Sequence, residues 1–553
     1  MAFTITYEHK SETFEKKVKL LDLTNGNKNY ICALVNGQLR ELDYDVYYDA
    51  NIQFLTLKDH DAMGIYERSL RFLFTMASHL VIPGIKFRMT YSVSRTIYAQ
   101  LINKKDGKEL YLTPGLVQSI EEKMHEIVKA DYQFDRLIRT NEEAKQIYNE
   151  FDLKDKAAIL EYRPEKTVHF YNCNGYYNYM YGKMVPSTGY LKTFKLLFYA
   201  PGLLIQYPRS ETNGEIPEFH DEPNFSDSLI NAQKWGSLVG LNYIASINKK
   251  IKTSEISQVE LINICENKHN RMLCELGEKI YQQINNIRVI CIAGPSSSGK
   301  TTFADRLTVE LKSRGLNPIR ISLDDYYKNR EDVPKDEDGS YDFESIDALN
   351  VELFNENVLS LLNGDTVNLP TYNFKTNSRD FSRKIKIGDN DLIIVEGIHA
   401  LNELMTHSIP KYLKFKIYIS PQAQINVDDE NPISITDIRL LRRIVRDNQY
   451  RGTSAEETLR MWPSVRRGEF KWIYKTQEDA NYVFDSFLNY ELNVIVKYAL
   501  PLLKKIPSES KYYTDALRLI NMLKYFKAID EKWVPCTSLL REFIGGNCYR
   551  DSE

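Results

Sequence analysis

The seven cysteines, at 32, 173, 265, 274, 291, 536 and 548, include no C-x-x-C pair, and an odd number cannot all pair within one chain. They offer neither a zinc-binding nor a disulfide framework and suit reduced thiols in a cytosol. No apolar run approaches the length needed to span a bilayer, and the first ten residues lack the basic-then-apolar order of a secretory leader. A soluble, cytoplasmic chain with no membrane partner is therefore expected. An excess of charge of one sign is also missing: the formal net charge is −3 over 553 residues, which gives no general affinity for nucleic acid or lipid. That length is too great for one ordinary core, so two to four domains are expected.

What is present is a phosphate-binding signature. Arg288-Val289-Ile290-Cys291-Ile292-Ala293 reads as a strand, Gly294-Pro295-Ser296-Ser297-Ser298-Gly299-Lys300-Thr301 has the form G-x-x-x-x-G-K-[ST], and Phe303 to Lys312 reads as a helix closed by Arg314-Gly315. Glycines at 294 and 299 let the backbone curl so that successive N–H groups face a triphosphate. Gly294, Ser296, Ser297, Ser298, Gly299, Lys300, Thr301 and Thr302 are thus the ATP-binding candidates. Lys300 reaches for the β/γ-phosphates, and the Thr301 hydroxyl for Mg²⁺. The guanine-reading string Asn-Lys-x-Asp is absent after the loop; Asn103-Lys104-Lys105-Asp106 precedes it by nearly two hundred residues and is read as chance. Two further strands end in acids: Pro318 to Leu323 in Asp324-Asp325-Tyr326-Tyr327, and Leu392 to Val395 in Glu396-Gly397. Acids at the carboxyl ends of parallel strands sit where the ligand crevice of an α/β sheet opens.

Six strings in order make residues 286–505 resemble the uridine kinase and phosphoribulokinase family: Gly294 to Thr302, Ser322 to Tyr327, Phe343-Glu344-Ser345-Ile346-Asp347-Ala348, Leu369-Pro370-Thr371-Tyr372-Asn373-Phe374, Val395-Glu396-Gly397-Ile398, and Arg439 to Asp447. The resemblance implies an α/β P-loop kinase with a mainly parallel sheet flanked by helices, using ATP and Mg²⁺ on a small-molecule alcohol. It implies Thr301, Asp324 and Glu396 around the metal, Asp324 as proton acceptor or orienter, and Arg443 and Arg446 as catalytic cations. Arg443 also stands near the acceptor sugar, and Arg451 near the phosphates of ATP. The acceptor would meet Tyr327, Glu344, Tyr372, Phe374, Asn377 and Arg443. Three departures bear on it. Asn377 stands where uridine kinases carry histidine, Glu344 where they carry a ribose-binding aspartate, and Thr453 where a lid arginine is expected, for which Arg466 or Arg467 could compensate. A pyrimidine nucleoside is the first acceptor implied, with a sugar or cyclitol as the alternative.

Arg439, Arg442, Arg443 and Arg446 also follow i, i+3, i+4, i+7, which puts four cations on one helical stripe. Such a stripe repels itself unless an anion answers it, and the transferred phosphoryl group is the anion expected.

Residues 1–65 read as short strands with an Asn36-Gly37 turn and resemble the TGS-type module of threonyl-tRNA synthetases; 66–230 resemble the synthetase's α+β editing-type domain. That domain gathers two His, a Cys and a further His, and the aligned positions here are Arg68, Phe72, Met180 and Met184, so neither zinc binding nor editing is expected. The tyrosine-dense run Tyr171 to Tyr181 is read as aromatic strands packed on the first module with hydroxyls toward water, rather than as a base-stacking platform, because no Lys/Arg cluster flanks it before Lys183 and Lys192. An RNA partner for this half, with the P-loop half acting only as a nucleotide switch, is the rival from another class. Residues 231–285 read as a helical connector and 506–553 as a helical tail in which Gly545-Gly546 stop a helix. Oligomeric state is left open.

Overall fold

The computed structural model describes residues 2–549 apart from 106, 336–338, 340, 374–377, 389 and 390. Among these residues no helix is long and apolar enough to cross a membrane.

The amino-terminal sheet has five strands in the order Lys10–Phe14, Phe3–Tyr7, Ala50–Leu55, Cys32–Val35, Gln38–Arg40. Phe3, Ile5 and Tyr7 point inward by simple strand alternation. Asn36 and Gly37, at φ 49° and 77°, make the left-handed turn that joins Cys32–Val35 to Gln38–Arg40. Helix His60–Val81 follows and packs in the same apolar cluster, which runs from Phe3 to Tyr207. The boundary expected at 65/66 therefore falls inside a helix and inside a shared core, and that expected at 230/231 falls inside helix Pro223–Val239. Periodicity alone places helices; it does not show which neighbouring sheet their apolar face meets.

Arg68, Phe72, Met180 and Met184 lie where helix His60–Val81 meets the 180–185 segment. Arg68 Nη1 donates to the Lys183 carbonyl at 3.0 Å, Ser69 Oγ meets Met184 Sδ at 3.7 Å, and the Phe72 ring stands edge-on to Phe134 and Tyr176. Packed side chains and a hydrogen-bonded guanidinium fill this junction. The nearby tyrosines differ from expectation in one respect: the Tyr171 hydroxyl is not turned to water but donates to the carboxylate of Glu41, just after strand Gln38–Arg40, and Arg163 ties Tyr179 to Tyr525 of the carboxyl-terminal segment. Aromatic spacing reports burial, whereas a hydroxyl's partner comes from wherever the fold brings an acceptor.

The carboxyl-terminal half is built on a second five-stranded sheet. Its sheet is wholly parallel, in the order Asn317–Ser322, Asp391–Glu396, Val289–Ala293, Lys414–Ser420, Tyr482–Asp485. Both faces are covered, so strand Val289–Ala293 is apolar throughout. Ile290 and Ile292 join one cluster, Val289, Cys291 and Ala293 the other. Helix Lys300–Ser313 packs Phe303, Ala304, Leu307 and Leu311 into the first cluster, against Leu261, Ile262, Cys265, Leu276 and Ile280 of helix Glu255–Tyr281. Leu519, Leu539, Leu540 and Phe543 of the tail belong to that cluster too.

The chain leaves strand Val289–Ala293 and returns two places away at Asn317–Ser322, while Lys414–Ser420 is added on the other side. That reversal opens a crevice at the carboxyl ends of the strands.

The two halves are clamped by residues 421–434, between strand Lys414–Ser420 and helix Ile435–Arg451. The Lys156 ammonium, fully buried, lies 3.1 Å from Asp428 and 3.0 Å from Glu430, while Arg88 meets Asp429 at 3.0 Å. Buried pairs of this kind are weak evidence for net stability, but removing one partner strands a charge, so they fix how the halves dock.

Candidate active site

The loop's geometry follows from its residues. Gly294 passes so close to its neighbour that a Cβ there would come 2.0 Å from the Ile419 carbonyl oxygen, and Gly299 sits at φ +93°, where a side chain is strained. Ser297 takes φ 59° without being glycine, a strain typical of binding loops. Lys300 Nζ donates to the carbonyls of Gly294 at 3.0 Å and Pro295 at 3.3 Å, so its charge is held over the mouth of the loop. Burial pulls the Lys300 ammonium below its ordinary pKa, and Glu396 and Asp324 pull it back up.

Strand register aligns the acids with the loop. Glu396 is paired with Ile292 on one side and Ser322 on the other, so Glu396 and Asp324, two residues beyond Ser322, stand at the level where the P-loop begins. Glu396 is 6% exposed; burial raises its pKa, against which Arg320, 3.6 Å away, pulls down. A buried carboxylate with so distant a counter-charge is costly unless a cation joins it. Thr301, Asp324 and Glu396 supply hard oxygen donors, and two carboxylates plus a hydroxyl fit Mg²⁺ that takes its remaining ligands from water and phosphates. The adjacent acids differ: Asp324 is exposed, whereas Asp325 accepts the Tyr372 N–H at 3.1 Å and so anchors strand Val367–Asn373.

The arginine stripe needs correction. Arg439 and Arg442 are buried in ion pairs, Arg439 with Glu469 and Arg442 with Glu491 at 2.6 Å, and they brace the loop from outside through the carbonyls of Ser296 at 3.0 Å and Ser297 at 3.3 Å. Arg443 Nη1 donates to Ser296 Oγ at 2.8 Å. Asp447 lies 3.2 Å from Arg443, 2.7 Å from Arg446 and 3.8 Å from Arg451. Burial alone would raise the Asp447 pKa; Arg446, Arg443 and Arg451 hold it below the usual range. The anions answering the stripe are thus three carboxylates of the protein. Arg466 is taken by Glu469 and by the Tyr474 hydroxyl at 2.6 Å, so it does not stand in for the arginine missing at Thr453.

Beside the loop, Tyr327 packs on Phe343 and Tyr372 at ring separations of 5.8 and 5.9 Å, and its hydroxyl donates to the Phe343 carbonyl at 3.0 Å. Phe374 and Asn377 lie outside the described residues. Glu344 lies so close to Gly468 that a Cβ there would meet its Cβ at 2.3 Å, and its buried Oε2 has no hydrogen-bond partner among the described residues. Burial pushes the Glu344 carboxyl up to about 7, with Arg443 pulling the other way. His399 joins it, Nε2 lying 2.9 Å from the Glu344 carbonyl. Reading the sequence missed His399, Glu469 and Glu491 as site residues; His399 directly follows the Val395–Ile398 string, while the two glutamates carry no local signal.

Glu344 gives a stability prediction. Its folded pKa of about 7 exceeds the ordinary 4.5, so the native state keeps a proton that the unfolded chain releases. Stability from this group is fully present below pH 4.5 and is lost as pH rises through 7. Glu344→Gln should therefore stabilise the protein at pH 8 by up to about 3 kcal/mol and change little at pH 4.5. Thermal melts at the two pH values check this, and an equal effect at both would contradict it.

The model of the Phosphoribulokinase / Uridine kinase family matches residues 289–492. Uridine kinase of Macrococcus caseolyticus is 33% identical over 179 residues, 32% of this chain and 78% of that protein. Uridine kinase of Staphylococcus haemolyticus is 32% identical over 180 residues, again 32% of this chain and 78% of the relative. A solved structure described as a possible uridine kinase from Bacillus stearothermophilus aligns with 37% of this chain and all of its own, at 19% identity and a TM-score of 0.22.

Proposed function

Because this chain belongs, through residues 289–492, to the phosphoribulokinase and uridine kinase family, whose members are ATP-dependent kinases with an alcohol acceptor, we propose that it phosphorylates the 5′-hydroxyl of a pyrimidine nucleoside, uridine or cytidine. The observation that carries the reading is the strand register that brings Asp324 and Glu396 to the level of the Lys300 loop. Phosphoryl transfer to an alcohol needs in-line positioning, charge neutralisation and a place for the hydroxyl proton. The loop N–H groups and Lys300 hold the β/γ-phosphates. Arg443 and Arg446, oriented by Asp447, face the charge that develops on the transferred group. Asp324, the exposed acid, takes or orients the hydroxyl proton. Thr301, Asp324 and Glu396 would hold Mg²⁺, which when bound would supply positive charge to neutralise the phosphates.

Tyr327 and Tyr372 form the aromatic side of the acceptor pocket in this reading, with Glu344 toward the sugar. Glu344 also favours the second reading, a sugar or cyclitol acceptor, because its carboxyl is longer than the family's aspartate and partly protonated near neutral pH. The amino-terminal half, TGS-like and editing-like by sequence, serves here as a docked companion without editing chemistry.

An ADP-release screen across pyrimidine and purine nucleosides, sugars and inositols tests the reading. Uridine or cytidine should raise turnover at least about 10-fold over water hydrolysis, the discrimination one buried hydrogen bond supplies. Stimulation by a sugar or inositol alone selects the second reading. ATP binding with no stimulation by any acceptor selects the nucleotide switch.

A further inference from the structure

Residues beyond the family match reach the start of the loop's helix. Leu539 packs against Gly299, where a Cβ would meet its side chain at 2.4 Å. Glu542, 6% exposed, accepts the Thr302 backbone N–H at 2.9 Å, and Asn547 Nδ2 donates to the Thr302 hydroxyl at 2.9 Å. The first bond within this helix is Phe303 N–H to the Gly299 carbonyl, so the N–H groups of Lys300, Thr301 and Thr302 have no acceptor inside it. In a P-loop such N–H groups take phosphate oxygens. Here one of the three is taken by a carboxylate of the chain itself.

We propose that Glu542 is an affinity-determining residue of the ATP site: its carboxylate competes with a phosphate oxygen for the Thr302 N–H, and the segment carrying it must yield when ATP binds. The inference rests on the P-loop reading above. Glu542 lies close enough to Lys300, Arg320 and Glu396 to act on their charges. A triphosphate entering that space meets a fixed negative charge as well as an occupied donor. The means to yield are local: Gly545 and Gly546, at φ +88° and +74°, follow after Phe543 and Ile544 and give the backbone a pivot. Gly545 also lies beside Gln449 and Tyr450 of the arginine helix, so movement of the segment is felt there.

The test measures MgATP affinity of the full chain by calorimetry for wild type and Glu542→Gln, together with hydrogen exchange over residues 536–549. The amide keeps the side chain's size and removes its charge. Dissociation constants should fall about 3- to 10-fold in the variant, and in wild type saturating MgATP should speed exchange of 536–549. A variant that melts lower but binds ATP no more tightly makes Glu542 a structural helix cap and overturns the proposal. Slower or unchanged exchange over 536–549 with ATP overturns it without any substitution, which keeps it testable if the variant does not fold. Loss of ATP binding in both proteins overturns the donor-site reading first and this inference with it.

Discussion

Lys300→Ala should lower kcat/KM for phosphoryl transfer by about 10²-fold or more, because preorganised charge at the β/γ-phosphates is the main catalytic term in this chemistry. The ammonium is held in place by the Gly294 and Pro295 carbonyls and is drawn toward Glu396 and Asp324, so no flexible search precedes its use. No other lysine belongs to the loop. Arg443 reaches the loop only at Ser296 Oγ, and Arg446 is engaged with Asp447, so neither substitutes for it. Steady-state kinetics at saturating acceptor check this. Turnover within a few-fold of wild type would mean the loop is not where the reacting phosphates sit.

Asp324→Asn should remove transfer almost entirely, by about 10³-fold or more in kcat, while ATP binding stays within a few-fold. An amide keeps the shape and loses the proton acceptor, a loss felt when the hydroxyl attacks, while Thr301 and Glu396 remain to hold the metal. Asp325→Asn is the control. Its carboxylate accepts the Tyr372 N–H, a bond that an amide oxygen can keep, so the substitution should move stability by less than about 1 kcal/mol, with most turnover retained. The two variants are separated by kcat. The reverse pattern, with Asp325 needed for turnover and Asp324 dispensable, would shift the catalytic position by one residue.

The contrast between neighbours shows what kind of feature was legible in the sequence. The strand, the Gly-rich loop, the helix and the acids at strand ends are local patterns whose physics lies within about ten residues, and all were expected near their observed bounds. The choice of Asp324 over Asp325 rests on resemblance; the contact of Asp325 with the Tyr372 N–H is a long-range one that no spacing shows. The arginine stripe failed for the complementary reason. Spacing showed that four cations share a face, but Glu469 and Glu491, which neutralise two of them, lie on other elements. The same holds for Glu542, more than two hundred residues from the N–H it meets, and for the core that helix His60–Val81 shares with the first sheet. Long-range partners leave no period or spacing behind. The residues 421–434 that clamp the halves together carry no such local pattern either.

On the proposed function this chain moves the γ-phosphoryl group of ATP onto a nucleoside hydroxyl. The direct measurement is transfer of label from γ-labelled ATP, with uridine or cytidine present and Lys300→Ala as the blank. The account predicts label on the 5′-oxygen of the nucleoside, dependent on Lys300 and Asp324. Label recovered only as inorganic phosphate, whatever the nucleoside, would contradict it.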